Sequence, residues 1–170
     1  VLSYYIFASN TEDESSLYPS NGDLSPISIT IGALPSIFYE NFENGYNGWE
    51  VSGDVVDGEW EVSNPLGTYL SGIPVAPSED ATLNGSSCLL TGNNEMDSNP
   101  SADDVDGGTT VVTSPIIDLS DYERVLLSYY RWYTNNLGDN PSTDSWIVQV
   151  SNDGGVEWVD IENTTLSKNM

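Results

Sequence analysis

Residues 145–161 read "SWIVQVSNDGGVEWVDI". Trp146, Val148 and Val150 alternate with polar or opposite-face residues, Asn152-Asp153-Gly154-Gly155 supplies turn chemistry, and Val156 and Trp158 resume the alternation. A period of two broken by an Asp-Gly turn is the signature of a β-hairpin, because successive side chains on a strand point to opposite faces. The hairpin reading places Trp146 and Trp158 in the core. Working outward, the same period recurs. "GEWEVS" sets Trp60 and Val62 against Glu59 and Glu61, and "RVLLSYYRWYTN", from Arg124, is apolar on both faces, as expected of a central strand in a sandwich. No window sustains an i, i+3, i+4, i+7 apolar pattern, and 15 Gly and 9 Pro interrupt the chain at short intervals. The expected class is all-β, an antiparallel jelly-roll β-sandwich.

Two further strands precede this region. "LSYYIFAS" places Leu2, Tyr4, Ile6 and Ala8 on one face, and "ISITIGA" places Ile27, Ile29 and Ile31 on one face, with the polar stretch "NTEDESSLYPSNGDLSP" between them. Two strands do not make a stable domain. A boundary is therefore expected at Leu34-Pro35-Ser36, with residues 1–35 forming the last hairpin of an upstream immunoglobulin-like domain or an assembly arm, and residues 36–170 the main domain. The chain starts inside an apolar pattern and without an initiator Met, which reads as a piece of a longer protein.

With 27 acidic and 3 basic residues the formal net charge is −24. Nucleic acid is a poor partner, since phosphate binding needs a basic footprint, and anionic membrane surfaces are disfavoured for the same reason. No stretch approaches the length of a membrane span, so no membrane insertion is expected. The acidity favours divalent cations. The absence of His and the presence of a single Cys, Cys88, remove the usual Ser-His and Cys-His nucleophile systems and His-type zinc sites. The expectation is a non-catalytic chain. Paired carboxylates could in principle hydrolyse glycosides, but acidic pairs are too common here for their spacing to carry information. The sequons at Asn84 and Asn163 read as chance occurrences.

Three long loops are expected, at 64–85, 92–108 and 134–145, all rich in Asp, Asn and backbone carbonyls. The middle one crowds Asp103, Asp104 and Asp106 before "GGTTVVT". "DVDGG" opens like a D-x-D-x-D-G loop but lacks the third Asp and the distant Glu, so it is no EF-hand. A Ca²⁺ site assembled from separate loops remains, drawing on Asp104 and Asp106, on Asp144 at the start of "DSWIV", and on Glu79 or Asp80 in "PSEDA", with Glu43 in "NFE" as a further candidate. The alternative is a solvated acidic loop. The aromatic run "YYRWY" offers Tyr130 and Trp132 as a sugar-stacking pair, against the plainer reading that aromatics in a central strand are packing.

The segments "NFENGYNGWEVSGDVVDGEWEVSNP", "CLLTGN", "DVDGGTTVVTSPIIDLSDYERVLLSYYRWY" and "DSWIVQVSNDGGVEWVDI", spanning roughly 38–162, resemble the jelly-roll accessory modules of large secreted bacterial proteins. These include those of immune-inhibitor-A-like metalloproteases, and there is a distant similarity to MAM and galactose-binding-like domains. The resemblance implies a non-catalytic, calcium-carrying module of a secreted or cell-surface protein that serves adhesion, binding or scaffolding. Two other functions stay open: a carbohydrate-binding module with a glycan partner, and a structural subunit of an extracellular assembly whose copies or neighbouring domains join by β-strand addition.

Overall fold

A computed structural model describes residues 35–93, 104–137 and 140–167, together with the backbone of four short strands among the first 34 residues. Asp103 lies outside the described residues. The chain is all-β, with no helix among the described residues. It divides into two compact units, Val1–Tyr39 and Glu40–Met170.

In the first unit, β1 (Leu2–Tyr4) pairs antiparallel with β4 (Ile27–Ile29), and β2 (Ile6–Ser9) with β3 (Ser15–Tyr18). The expected single strand "LSYYIFAS" is thus two strands, and the polar stretch contributes β3, whose "SSLY" carries too little alternation to be read from sequence alone.

Among the described residues the second unit holds four more antiparallel ribbons. β5 (Glu50–Gly53) pairs with β10 (Thr110–Thr113), β6 (Glu61–Ser63) with β9 (Cys88–Leu90), β7 (Thr68–Leu70) with β8 (Ile73–Ala76), and β11 (Trp146–Val150) with β12 (Val159–Thr164). The stretch 64–85, expected to be a loop, contains the β7–β8 hairpin. Its two turn residues, Ser71 and Gly72, have φ of 53° and 80°. Positive φ at both central positions is the primed turn whose twist matches the flanking strands.

The β11–β12 hairpin forms, but its second strand starts at Val159 and not at Val156. Side chains explain the shift. Asp153 Oδ1 accepts the N–H groups of Val156 and Glu157 at 3.0 Å, and Ser151 Oγ accepts that of Gly155 at 2.9 Å. These bonds satisfy the backbone locally and compete with the ladder. Val156 is consequently 80% exposed. Trp158 is 45% exposed and not a core residue: its Nε1 donates to Gly155 O at 3.0 Å, closing its own turn.

"RVLLSYYRWYTN" is not the central strand expected: none of residues 124–135 belongs to a strand, and Leu126 is 77% exposed. A strand apolar on both faces is stable only between two covering layers, and residues 124–130 are exposed while only 131–135 are buried or half-buried. No side chain among the described residues is fully buried, and those closest to it include the polar Thr68, Arg131 and Asn135. The packing centre is therefore mixed. The Trp146 ring meets Trp60 edge-on at 5.9 Å and Tyr133 at 5.7 Å, and the Arg131 guanidinium lies 5.3 Å from its centroid.

Candidate functional site

Two acidic loops are laid antiparallel beyond the end of the β5–β10 ribbon. "DVVDG", residues 54–58, runs against "DVDGG", residues 104–108. Asp54 N donates to Thr109 O at 3.0 Å and Thr109 N to Asp54 Oδ1 at 2.9 Å. Further on, Asp106 N donates to Asp57 O at 3.2 Å, and Val56 N to Asp106 O at 2.9 Å. Gly58, at φ 72°, is required here, because a Cβ would stand 2.6 Å from Asp104 O.

This pairing gathers carboxylates. The Asp104 pKa is raised from the usual carboxylate value by partial desolvation first, then by the charges of Asp106, Asp144 and Asp57. A group whose pKa is raised on folding favours the folded state below its unfolded pKa and loses that contribution as pH rises through the folded one. Asp104 ionised among three other Asp residues therefore works against the fold at neutral pH. The structure brings Asp106, Asp144 and Asp57 into electrostatic reach of Asp104. The signal for Asp57 was the near-repetition of "DVDGG" by "DVVDG". Among the described residues no three Asp, Glu or Cys side chains converge as a ready metal shell. The donors are all oxygen, which suits Ca²⁺ and not a softer metal.

Glu79, Asp80 and Glu43 lie elsewhere. Glu79 and Asp80 line a cavity of about 550 Å³ with Asn64 and residues 78–86. Glu43 is occupied as a clamp on that loop: its Oε1 accepts Ser86 N and Ser87 N, both at 2.7 Å, and its Oε2 accepts Ser86 Oγ at 3.0 Å. The bonds to Ser87 and Ser86 hold the Glu43 carboxyl below its usual pKa. Such a clamp is present above the ordinary carboxylate range and is lost as pH falls through the lowered value. Asp80 Oδ2 is buried without a hydrogen-bond partner among the described residues. Both carboxylates crowd Gly85, where a Cβ would collide with Asp80 Oδ2 and come within 2.9 Å of Glu43 Oε1.

Cys88 sits half-buried beside this pair as a free thiol. Burial first, then the charges of Asp80 and Glu43, push its pKa up to about 11. Because the thiolate is the nucleophile, iodoacetamide at pH 8 should alkylate Cys88 at least about a hundredfold more slowly than free cysteine, whose pKa is about 8.5. Asp80→Asn should quicken the reaction, since it removes one of the charges that oppose ionisation. Labelling at the free-cysteine rate would show the thiol to be open and unopposed.

The "YYRWY" side chains split by alternation. Tyr129, Arg131 and Tyr133 turn towards Trp146 and Glu162. Arg131 Nη1 stands 3.0 Å from Glu162 Oε1, an ion pair by distance whose angle is not that of a hydrogen bond. The Tyr129 hydroxyl donates to Glu162 Oε2. Desolvation, then Glu162, raises the Tyr129 pKa, while Arg131 opposes the rise. Tyr130 is 76% exposed, whereas Trp132 Nε1 is committed to Val75 O at 2.7 Å and Thr134 Oγ1 at 3.2 Å.

Asn135 carries no charge and offered no motif, yet it is only 7% exposed. Its Nδ2 donates to Asp144 O at 2.7 Å and Thr165 O at 2.9 Å, its N–H donates to Ser167 Oγ at 2.9 Å, and its carbonyl accepts Ser142 N at 2.5 Å.

No family model, no curated protein and no solved structure matches the chain.

Proposed function

We propose that this chain is a non-catalytic β-module of a secreted or cell-surface protein, whose acidic loops are neutralised by Ca²⁺ and whose role is adhesion, binding or scaffolding. Its ribbons stack as a jelly-roll sandwich in this reading. The observation that carries it is the backbone pairing of the loops that hold Asp57 and Asp106, beside Asp104, whose pKa is raised first by partial desolvation and then by the charges of Asp106, Asp144 and Asp57. Four carboxylates on a chain of formal charge −24 repel one another, and a divalent cation removes that repulsion at neutral pH as protonation does at acid pH. Asp104, Asp106, Asp144 and Asp57 would supply oxygen ligands, and backbone carbonyls and water the remainder of the six to eight that Ca²⁺ takes. The lack of His and the raised pKa of Cys88 support a non-catalytic role.

Isothermal titration with CaCl₂ tests it. The wild-type chain should bind, and Asp104→Asn with Asp106→Asn should weaken binding at least about tenfold. Unchanged affinity in the double variant would remove these loops from the account.

A carbohydrate-binding module is the second reading, favoured by the exposed ring of Tyr130. Tyr130→Ala should then abolish retention on a glycan column without altering the melt. Joining of copies by strand addition is the third reading, and the ribbon edges left unpaired among the described residues would serve it.

A further inference from the structure

Asp-Gly steps fall at Asp57, Asp106 and Asp153, and the three are held differently. A glycine after Asp leaves its backbone nitrogen unshielded, because no Cβ stands beside it. At Asp57 that nitrogen is aimed at the preceding carboxyl: Gly58 N donates to Asp57 Oδ1 at 2.9 Å. The step is pinned on both sides. Asp57 exchanges backbone hydrogen bonds with Asp106, and Gly58 is buried where a Cβ would meet the Asp104 backbone. Asp57 itself is exposed, so water reaches its carboxyl. The other two steps are arranged otherwise. The Asp153 carboxyl accepts Val156 N and Glu157 N, and no hydrogen bond among the described residues joins Gly154 N to Asp153 or Gly107 N to Asp106.

We infer that Asp57-Gly58 is a site of spontaneous backbone modification, closing to a cyclic imide and reopening to isoaspartate. With the carboxyl in its acid form, the Gly58 nitrogen attacks Asp57 Cγ. The N–Cγ bond forms, the Cγ–OH bond breaks, and the hydroxyl leaves with the amide hydrogen as water. Water then adds back to the imide. Opening at Cγ restores Asp57. Opening at the main-chain carbonyl leaves the chain running through Cβ and Cγ, with the α-carboxylate as the new side group. Water is the one co-reactant. A hydrogen bond ordinarily diverts a nitrogen from reaction. Here the acceptor belongs to the carboxyl under attack, so the bond holds the reacting atoms together. The product lengthens the main chain between Val56 and Gly58 by one carbon. That takes the Asp57 carbonyl from Asp106 N and draws Gly58 out of its place against Asp104. The inference stands apart from the calcium reading, since it rests on the Gly58–Asp57 contact alone.

The test ages the wild-type chain in EDTA at mildly acid pH, folded in one sample and in urea in another. Peptide mapping by chromatography and mass spectrometry locates the products, and a methyltransferase specific for isoaspartate counts them. Deamidation at Asn-Gly steps changes the peptide mass and isomerisation of Asp does not, so the two are told apart. In the folded chain isoaspartate should form at Asp57 at least about tenfold faster than at Asp106 or Asp153, the lower part of the range that near-attack placement supplies. The imide peptide, lighter by one water, should be found at the same position. In urea the three steps should age at similar rates, with Asp57 no faster than in the folded chain and the other two faster. Isoaspartate at Asp106 or Asp153 as fast as at Asp57 in the folded chain, or an Asp57 that ages more slowly folded than in urea, would overturn the inference.

Discussion

Glu162→Ala should destabilise the chain by about 3 kcal/mol, whereas Arg131→Met with Glu162→Leu should be close to neutral. Arg131 is only 9% exposed, and Glu162 is the one carboxylate that pairs with it among the described residues. Removing Glu162 leaves a guanidinium in a largely closed site facing the Trp146 ring, with Nη1 already lacking a hydrogen bond. It also takes away the acceptor of the Tyr129 hydroxyl. Breaking a buried pair from one side costs about 3 to 5 kcal/mol. The lower end applies because the Glu162 side chain is 27% exposed and water screens it. The double replacement removes both charges and adds apolar contact, so little net cost is expected. Urea unfolding followed by tryptophan fluorescence measures both. Equal losses in the single and double variants would mean that the pair matters for its shape and not for its charge.

Trp146→Ala should cost a comparable amount, about 3 kcal/mol, with Trp146→Phe losing less than half of that. The indole is where Trp60, Tyr133 and Arg131 meet. Its Nε1 is buried beside the Tyr129 hydroxyl but outside hydrogen-bond geometry, so replacement by Phe forfeits no well-made bond. Trp158→Ala is the contrast: with a ring 45% exposed and bonded within its own turn, it should cost under about 1.5 kcal/mol. Equal losses at positions 146 and 158 would place the packing centre elsewhere.

The difference between those two tryptophans shows what a sequence of this kind does and does not carry. Alternation marks β11 and β12 as a hairpin, because a period of two survives wherever one face is covered. It cannot tell where the second strand resumes. That depends on Ser151 and Asp153 side chains catching the N–H groups of Gly155, Val156 and Glu157, a local competition invisible to hydropathy. The β7–β8 hairpin was hidden by Pro74 and by polar flanks, though Ser71-Gly72 was a usable turn signal. In "VLLSYY" the apolar pattern is plain, but pattern alone does not say what covers it.

The site divides in the same way. The charges of Asp106 and Asp144 both reach Asp104, a nearness the sequence suggests because acidic residues beside turn glycines and strand starts fall at loop ends. Asp57 needed the ladder between "DVVDG" and "DVDGG". Asn135 gave no signal in the sequence, since an uncharged amide that bonds the backbone of Asp144 and Thr165 belongs to no charge or hydropathy pattern. Glu43 looked like a ligand by residue type, yet the structure commits it to Ser86 and Ser87. A carboxylate's role depends on which donors reach it first.

The central claim is that a divalent cation relieves the repulsion held in the acidic loops. Thermal unfolding of the chain in EDTA and in millimolar CaCl₂, at matched ionic strength, tests it most directly. Calcium at a hundred times its dissociation constant adds about 2.7 kcal/mol to the folded state, which for a chain of this size raises the melting temperature by about 5 to 10 °C. The rise should vanish in the variant combining Asp104→Asn with Asp106→Asn. A melting temperature that is the same in EDTA and calcium, or that rises equally with NaCl alone, would contradict the claim and leave the acidic loops as solvated surface.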